Sequence, residues 1–322
     1  MSFYEGKRVL VTGASGLIGS HAIEALASRG ARAVGIVHTT PPVVVDPRIE
    51  YRTADLTQRE GCEAAVAGCE LVVHAAASTS GAMVMRDNPI AHVTPNLLIN
   101  AQLLEACARA GVKRFLFVST TTVYPDVDHP LREDEGFVGE PHPTYFGVGW
   151  MKRYTEKLTE FYAQRFGLEF AILRPTNVYG PRDKFDFTTS HVLPALIRRA
   201  VDGADPFEVW GDGSAVRDFL YVSDMTDALL AALEHAADGA PLNVGSGAPG
   251  TIREAVELIL RLAGREGARV VYDPSKPTSI PKRTVDLTQV RTRLGYEAKV
   301  SLEEGLTKTI AWYRTTKEAP AR

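Results

Sequence analysis

The chain is poor in cysteine, in long apolar runs and in charge of one sign, and each shortage closes a class of function. Three cysteines, Cys62, Cys69 and Cys107, stand among 322 residues. Their number is odd and no histidine lies near them at metal-ligand spacing, so neither a disulfide framework nor a metal site is expected. They read as reduced packing thiols in a cytoplasm, Cys62 and Cys69 flanking an alanine-rich helix. There is no run of about 18 apolar residues, so no membrane span is expected. A net charge of −3 gives no electrostatic attraction to nucleic acid or to an anionic membrane. The opening "MSFYEGKRVLVTG" enters a strand almost at once and leaves no room for a signal peptide. No internal repeat or low-complexity tail is visible. What remains, 45% hydrophobic and 23% charged residues, is ordinary globular composition, enough for one large α/β domain or a large and a small one.

"RVLVT" (8–12) is a short apolar run, and "GASGLIGSHAIEALASRG" follows. Gly13, Gly16 and Gly19 lie between that strand and a helical pattern (Ile18, Ala22, Ile23, Leu26) that ends at Gly30. Strand, glycine turn and helix in this order suit a pyrophosphate, which needs close backbone approach and the positive end of a helix. Further apolar runs at 32–38, 49–56, 69–77, 114–124 and 168–175 alternate with helical patterns. That alternation predicts an α/β fold with a doubly wound parallel sheet of Rossmann type. Ligands on such a sheet lie at the carboxyl ends of the strands, so Asp55, His74 to Ala77, Thr120 to Thr122 and Arg174 to Asn177 are candidate site positions. After the second strand comes "VHTTPP", without the acid that usually holds the ribose 2′-hydroxyl of NAD and without an arginine for a 2′-phosphate. His38, Thr39 and Thr40 suit either cofactor, and the missing acid leans the reading toward NADP.

Several separated stretches resemble the extended short-chain dehydrogenase/reductase family of nucleotide-sugar epimerases, dehydratases and reductases. They are "TGASGLIG", Asp55-Leu56, "HAAA", "VSTTTVYP", Lys152 on the following helix and "RPTNVYGPRD". The second half, with "RPTNVYGPRDKFDFTTSHVLPALIRRA" and "VWGDGSAVRDFLYVSDM", is similar to the GDP-fucose synthase branch. The resemblance implies an NAD(P) site at Gly13, Ser15, Gly16, Leu17, Ile18, Gly19, His38, Asp55, Leu56, Ala75, Ala76, Ala77, Lys152 and Pro175. It implies a nucleotide-diphosphate sugar as partner, bound by Asn177, His191, Val192, Arg199, Trp210 and Arg217, the last on the diphosphate with Lys282 or Arg283. His191 is implied as an acid in epimerisation, Thr120 as the hydroxyl that orients the sugar oxygen, and Lys152 as the ligand of the nicotinamide ribose. A homodimer through helices 92–111 and that of Lys152 is implied too.

One departure stands out. The family's tyrosine belongs four residues before Lys152, and "VGWMK" puts Val148 there. Thr122 likewise stands where the branch uses a cysteine base, and a hydroxyl is a far weaker base than a thiolate. Tyr145 lies on the right helical face, but seven residues before Lys152 are roughly 10.5 Å of rise, one turn too far. Three readings follow: a relocated acid/base (Tyr145, His191 or a water held by Thr120 and Thr122), a step whose proton the substrate handles, or a binding protein without turnover. The retained set of convergent groups favours an active enzyme.

Residues 1–174 and 217–246 are expected to form the dinucleotide-binding domain, and 175–216 with 247–322 a smaller C-terminal substrate lobe. Ser223, Thr251 with Glu254, and Ser301 with Glu304 are predicted helix caps. The loop 274–281 is expected to lie over the sugar nucleotide.

Overall fold

Strand β1 (Arg8–Thr12) sends Val9 and Val11 to one face and Leu10 to the other, and all three are fully buried. A strand apolar on both faces needs helices on both sides, and the chain supplies them. In this computed structural model, which describes residues 2–79, 81–276, 278 and 280–318, β1 leads through α1 (Leu17–Ser28) to β2 (Arg32–Val37) and β3 (Ile49–Thr53). Next come α2 (Arg59–Val66), β4 (Leu71–His74), α3 (Ala82–Asp87), α4 (Thr94–Ala110), β5 (Arg114–Val118), α5 (Phe146–Phe166) and β6 (Glu169–Pro175). The second half adds β7 (Asn177–Tyr179), α6 (Val192–Val201), β8 (Phe207–Trp210), β9 (Val216–Arg217), β10 (Phe219–Tyr221), α7 (Val222–His235) and β11 (Asp238–Val244). It closes with β12 (Gly250–Thr251), α8 (Ile252–Ala263), β13 (Val270–Asp273), β14 (Lys282–Arg283), α9 (Thr288–Leu294) and α10 (Leu302–Glu318).

The main sheet has the order β11-β6-β5-β4-β1-β2-β3, and every neighbouring pair is parallel. The predicted doubly wound Rossmann sheet is present. Strand order reverses between β1 and β4, which opens a crevice at their carboxyl ends. One face packs on α1 and α7, the other on α2 and α4. A third apolar cluster joins α6, α8 and α10 with Phe207, Phe219 and Tyr221. All three cysteines are free and buried. Burial pushes the Cys62 thiol up to about 12, so packing is its role. Among the described residues no helix is long and apolar enough to cross a membrane.

β2, β3, β4 and β5 stop earlier than their apolar runs. β5 ends at Val118, where the Ser119 N–H still donates to the Leu173 carbonyl at 2.8 Å; Thr120 then caps a 3₁₀ turn over Thr121–Val123. The Thr251–Glu254 capping box forms in full. Ser301 accepts from the Glu304 N–H at 3.2 Å, but the Glu304 carboxylate turns to Lys308. Ser223 is not a cap: α7 starts at Val222 behind Tyr221 with no side-chain cap bond. Its first turn is instead held by Asp224, whose carboxylate accepts from the Val300 N–H at 3.1 Å. The 274–281 loop includes residues 277 and 279, which lie outside the described residues.

Candidate functional site

At the end of β1 the chain turns through Gly13, whose φ is 68°. A Cβ there would sit 2.9 Å from the Ala76 backbone, and one on Gly19 would sit 2.1 Å from the Gly13 carbonyl oxygen. The turn and the first helical turn can approach each other this closely only with glycine at both positions. Gly16 is the N-cap of α1 and no side chain caps the helix, which leaves first-turn N–H groups at Leu17 and Ile18 for an anion. Ser15 donates to the Thr40 carbonyl at 2.8 Å and draws in the exposed His38–Thr40 segment. Asp55 Oδ1 accepts from the Thr57 N–H and hydroxyl at 2.9 and 2.7 Å; these bonds hold its carboxyl below the usual range, helped by nearby His38.

β1 and β4 are stitched at the same edge. Ala76 N–H donates to Thr12 Oγ1 at 3.1 Å, Thr12 donates to His74 Nδ1 at 2.8 Å, and His74 Nε2 donates to Asn100 Oδ1 at 2.8 Å. Burial drives the His74 pKa down to about 4. His74 is therefore a neutral strut at neutral pH, although its strand-end position made it a site candidate.

Lys152, on α5, is 9% exposed. Its Nζ donates to the Val118 carbonyl at 2.9 Å and lies 4.5 Å from the Phe117 ring centroid. Burial brings its pKa down to about 8, against a smaller upward pull from Glu156. Glu156, one turn on, grips Arg174 at 2.7 and 3.1 Å and accepts from Ser119 at 2.5 Å. Arg174 also donates to the Tyr124 hydroxyl, which donates to Asn243 Oδ1 at 2.6 Å. Arg174, a strand-end candidate, is thus a scaffold ion pair that fixes α5 against the sheet. Sequence reading did not find the Glu156 partnership, because a charged helical residue looks the same whether buried or solvated.

Thr120 accepts from the Thr122 N–H at 3.2 Å, and Thr122 Oγ1 is buried with no hydrogen-bond partner among the described residues. Val148 is half-buried on the first turn of α5. Beside it, a Cβ on Gly149 would come 2.6 Å from the Thr122 carbonyl oxygen, so α5 presses on the Thr120 turn through a glycine.

His191 is the N-cap of α6, accessible to solvent yet walled by protein. The surrounding protein, then Lys184 and His92, lowers its pKa. Lys184 itself donates to the Thr79 carbonyl at 2.7 Å, which ties this loop to the chain beyond β4. Asp183 next to it has burial pushing its pKa up to about 7, with Oδ2 unpartnered. His92, Asp183 and Lys184 carried no sequence signal beyond lying near matched stretches.

Arg217 on β9 and Arg283 on β14 are register partners in a parallel pair and are 8% and 6% exposed. Arg217 donates to the Val216 and Ile280 carbonyls, and Arg283 Nη1 to the Pro125 carbonyl at 3.1 Å. Arg283 Nη2 is buried with no hydrogen-bond partner among the described residues. Of the two residues considered as Arg217's companion, Arg283 lies inside; Lys282 is exposed and donates to the Asp128 carbonyl. Glu208 accepts from Trp210 Nε1 at 2.8 Å; burial lowers the Arg199 pKa, and Glu208 offsets part of that. Asn177 and Val192 are exposed, and Pro175 and Leu56 are buried.

A profile of the NAD dependent epimerase/dehydratase family matches residues 9–245. The chain belongs to that family. The GDP-L-fucose synthase of Sinorhizobium fredii is 34% identical to it over 316 residues, covering 96% of each chain. The dTDP-4-dehydro-6-deoxy-D-allose reductase of a Streptomyces species is 31% identical, covering 98% of each. Among solved structures, UDP-glucose 4-epimerase of Thermotoga maritima, crystallised with UDP-glucose, matches with a TM-score of 0.87 at 32% identity, over 97% of this chain and 100% of its own. The Thermus thermophilus UDP-glucose 4-epimerase complex with NAD matches at 0.84 and 29% identity, over 95% of this chain and 99% of its own. Sugar-nucleotide epimerases, synthases and reductases are thus its named relatives, and this epimerase/dehydratase-family chain is an enzyme of their kind. A dinucleotide fits its residues: the glycine cradle admits close backbone approach, and the uncapped end of α1 offers N–H donors to a pyrophosphate.

Proposed function

We propose that this chain is an NAD(P)-dependent nucleotide-sugar epimerase or reductase that works through a keto-sugar intermediate without a tyrosine acid/base. The observation that carries the reading is Lys152: a buried ammonium, bonded to the Val118 carbonyl at the end of β5, with no phenol on the preceding helical turn. A bound nicotinamide supplies or takes the hydride. Lys152 holds the nicotinamide ribose, and Thr120 orients the sugar oxygen. The Thr120 oxygen already accepts from the Thr122 N–H, so its hydroxyl proton is left to donate.

Val148 has no proton to exchange. Proton transfer to the sugar oxygen therefore falls to Lys152, relayed through a solvent molecule held by Thr120 and Thr122. An acid near pKa 8 exchanges protons readily at neutral pH, which an unperturbed lysine does not. In epimerisation a proton leaves carbon to water held at the Thr120–Thr122 turn, and His191 is the acid that returns one to the opposite face of that carbon. Asn177, Val192, Arg199 and Trp210 line the nucleotide side, and Arg217 and Arg283 take the diphosphate. Residues 1–174 with 217–246 bind the cofactor, and 175–216 with 247–322 bind the sugar nucleotide. With no acid after β2, NADP is accepted alongside NAD. Exposed Leu97, Leu98, Trp150, Tyr154 and Phe161 on α4 and α5 support a homodimer through those helices, and reduced, buried cysteines fit a cytoplasmic place.

The test is incubation with GDP-, UDP- and dTDP-linked keto sugars and either reduced nicotinamide, followed by cofactor absorbance and product NMR. Turnover by the parent that Lys152→Met abolishes supports the proposal. Cofactor and sugar-nucleotide binding without turnover on any of these substrates would favour a binding protein instead.

A further inference from the structure

Tyr145 stands at the join between a 3₁₀ turn (Pro143–Tyr145) and α5, where it is the helix N-cap residue. Its surroundings are those of the arginine pair. The His142 ring is 6.2 Å from the Tyr145 ring, and the His142 N–H donates to the Tyr124 carbonyl at 3.3 Å. Arg283 donates to the carbonyl of Pro125, the next residue, and Arg217 is its register partner across the β9–β14 pair. The segments carrying Tyr145, Arg283 and Arg217 are thereby held together. Tyr145 also lies within electrostatic reach of both guanidiniums, and Asp126 within reach of Arg283. Lys152 feels burial and Glu156 only.

We infer that Tyr145 is a hydroxyl donor to the diphosphate of the sugar nucleotide, working with Arg283 and Arg217, and is not the displaced acid/base. The inference rests on the reading of the site as a nucleotide-sugar site. Arg283 carries a guanidinium nitrogen that is buried with no hydrogen-bond partner among the described residues. Two guanidiniums adjacent in register call for an anion between them, and a phenol on the same wall gives that anion a neutral third donor. Tyr145 also lies roughly 10.5 Å of helical rise before Lys152, a separation that suits opposite ends of one extended ligand.

Calorimetric titration with GDP, UDP, guanosine and uridine, on the parent, Tyr145→Phe and Arg283→Met, tests this. The expected result is that Tyr145→Phe weakens GDP or UDP binding about tenfold, as loss of one hydrogen bond to a charged group does. Binding of the unphosphorylated nucleosides stays unchanged, and kcat on a keto-sugar nucleotide stays within about threefold while KM rises. Nucleoside diphosphate binding that Arg283→Met weakens and Tyr145→Phe leaves unchanged overturns the assignment alone. So does a kcat loss of about a hundredfold or more in Tyr145→Phe with binding intact, which marks an acid/base. No binding of GDP or UDP by the parent overturns both the assignment and the reading beneath it.

Discussion

Arg174 and Arg283 are almost equally hidden from water, at 1% and 6% exposure, yet they sit in opposite electrostatic settings. Arg174 has both arms on the Glu156 carboxylate and another bond to Tyr124, and these partners outweigh burial and raise its pKa. Among the described residues Arg283 has one carbonyl and a nitrogen without a hydrogen-bond partner, and burial lowers its pKa. Lys152 sides with Arg283: one carbonyl, an aromatic face, and a pKa brought down to about 8. A buried cation whose partners are complete is scaffold. A buried cation left incomplete has its stability supplied elsewhere and is available to a ligand.

The sharpest way to break this contrast is to remove a partner from the complete site. Glu156→Ala leaves Arg174 buried and unpaired, and is expected to cost about 3–5 kcal/mol in urea unfolding. A loss under about 1 kcal/mol would show that Arg174 is not held as an ion pair. On the incomplete side, Lys152→Met is expected to lower kcat by about 10²–10⁴-fold while leaving the urea midpoint unchanged or raised near neutral pH. The pH sign follows from the direction of the shift. Between about pH 8 and the unfolded lysine pKa near 10.5, the unfolded chain binds the extra proton, so this residue's contribution to stability rises with pH there. Below pH 8 both states are protonated and the contribution is flat, at its least favourable. The parent's stability measured against Lys152→Met across that window should show the rise; a flat difference would mean the lysine is not desolvated.

Arg283→Met comes next in size. It is expected to weaken GDP or UDP binding by about 1.5–3 kcal/mol without lowering the urea midpoint. A fall in stability as large as that of Glu156→Ala would erase the distinction between the two arginines. Smallest is Thr251→Ala, which removes the capping box of α8 and is expected to cost about 1 kcal/mol with no effect on ligand binding.

The same contrast explains what the sequence revealed. The glycine turn and the Thr251 cap are local and read directly from spacing; the parallel sheet pairs distant strands, but the alternation of apolar runs with helical patterns shows its type. Strand-end position alone marked His74 and Arg174 together with Thr120, because sequence does not show which strand-end polar groups find partners. His74 is satisfied by Thr12 and Asn100, and Arg174 by Glu156. Arg217, Arg283 and the Pro125 carbonyl are brought together only by the fold, so Lys282 and Arg283 were indistinguishable beforehand. Ser223 failed as a cap because α7 already begins at Val222, which places Ser223 inside the helix. Val148 stands four residues before Lys152 on α5, and its reading as the tyrosine's replacement comes from the sequence alone.

The most direct test of the central claim, proton transfer by a buried Lys152 without a tyrosine, is the pH dependence of keto-sugar nucleotide reduction in the parent, Lys152→Met and Val148→Tyr. The account predicts parent turnover that falls as pH rises through about 8, where the ammonium is lost, and that vanishes in Lys152→Met. A parent inactive at every pH, with turnover appearing only in Val148→Tyr, would contradict it.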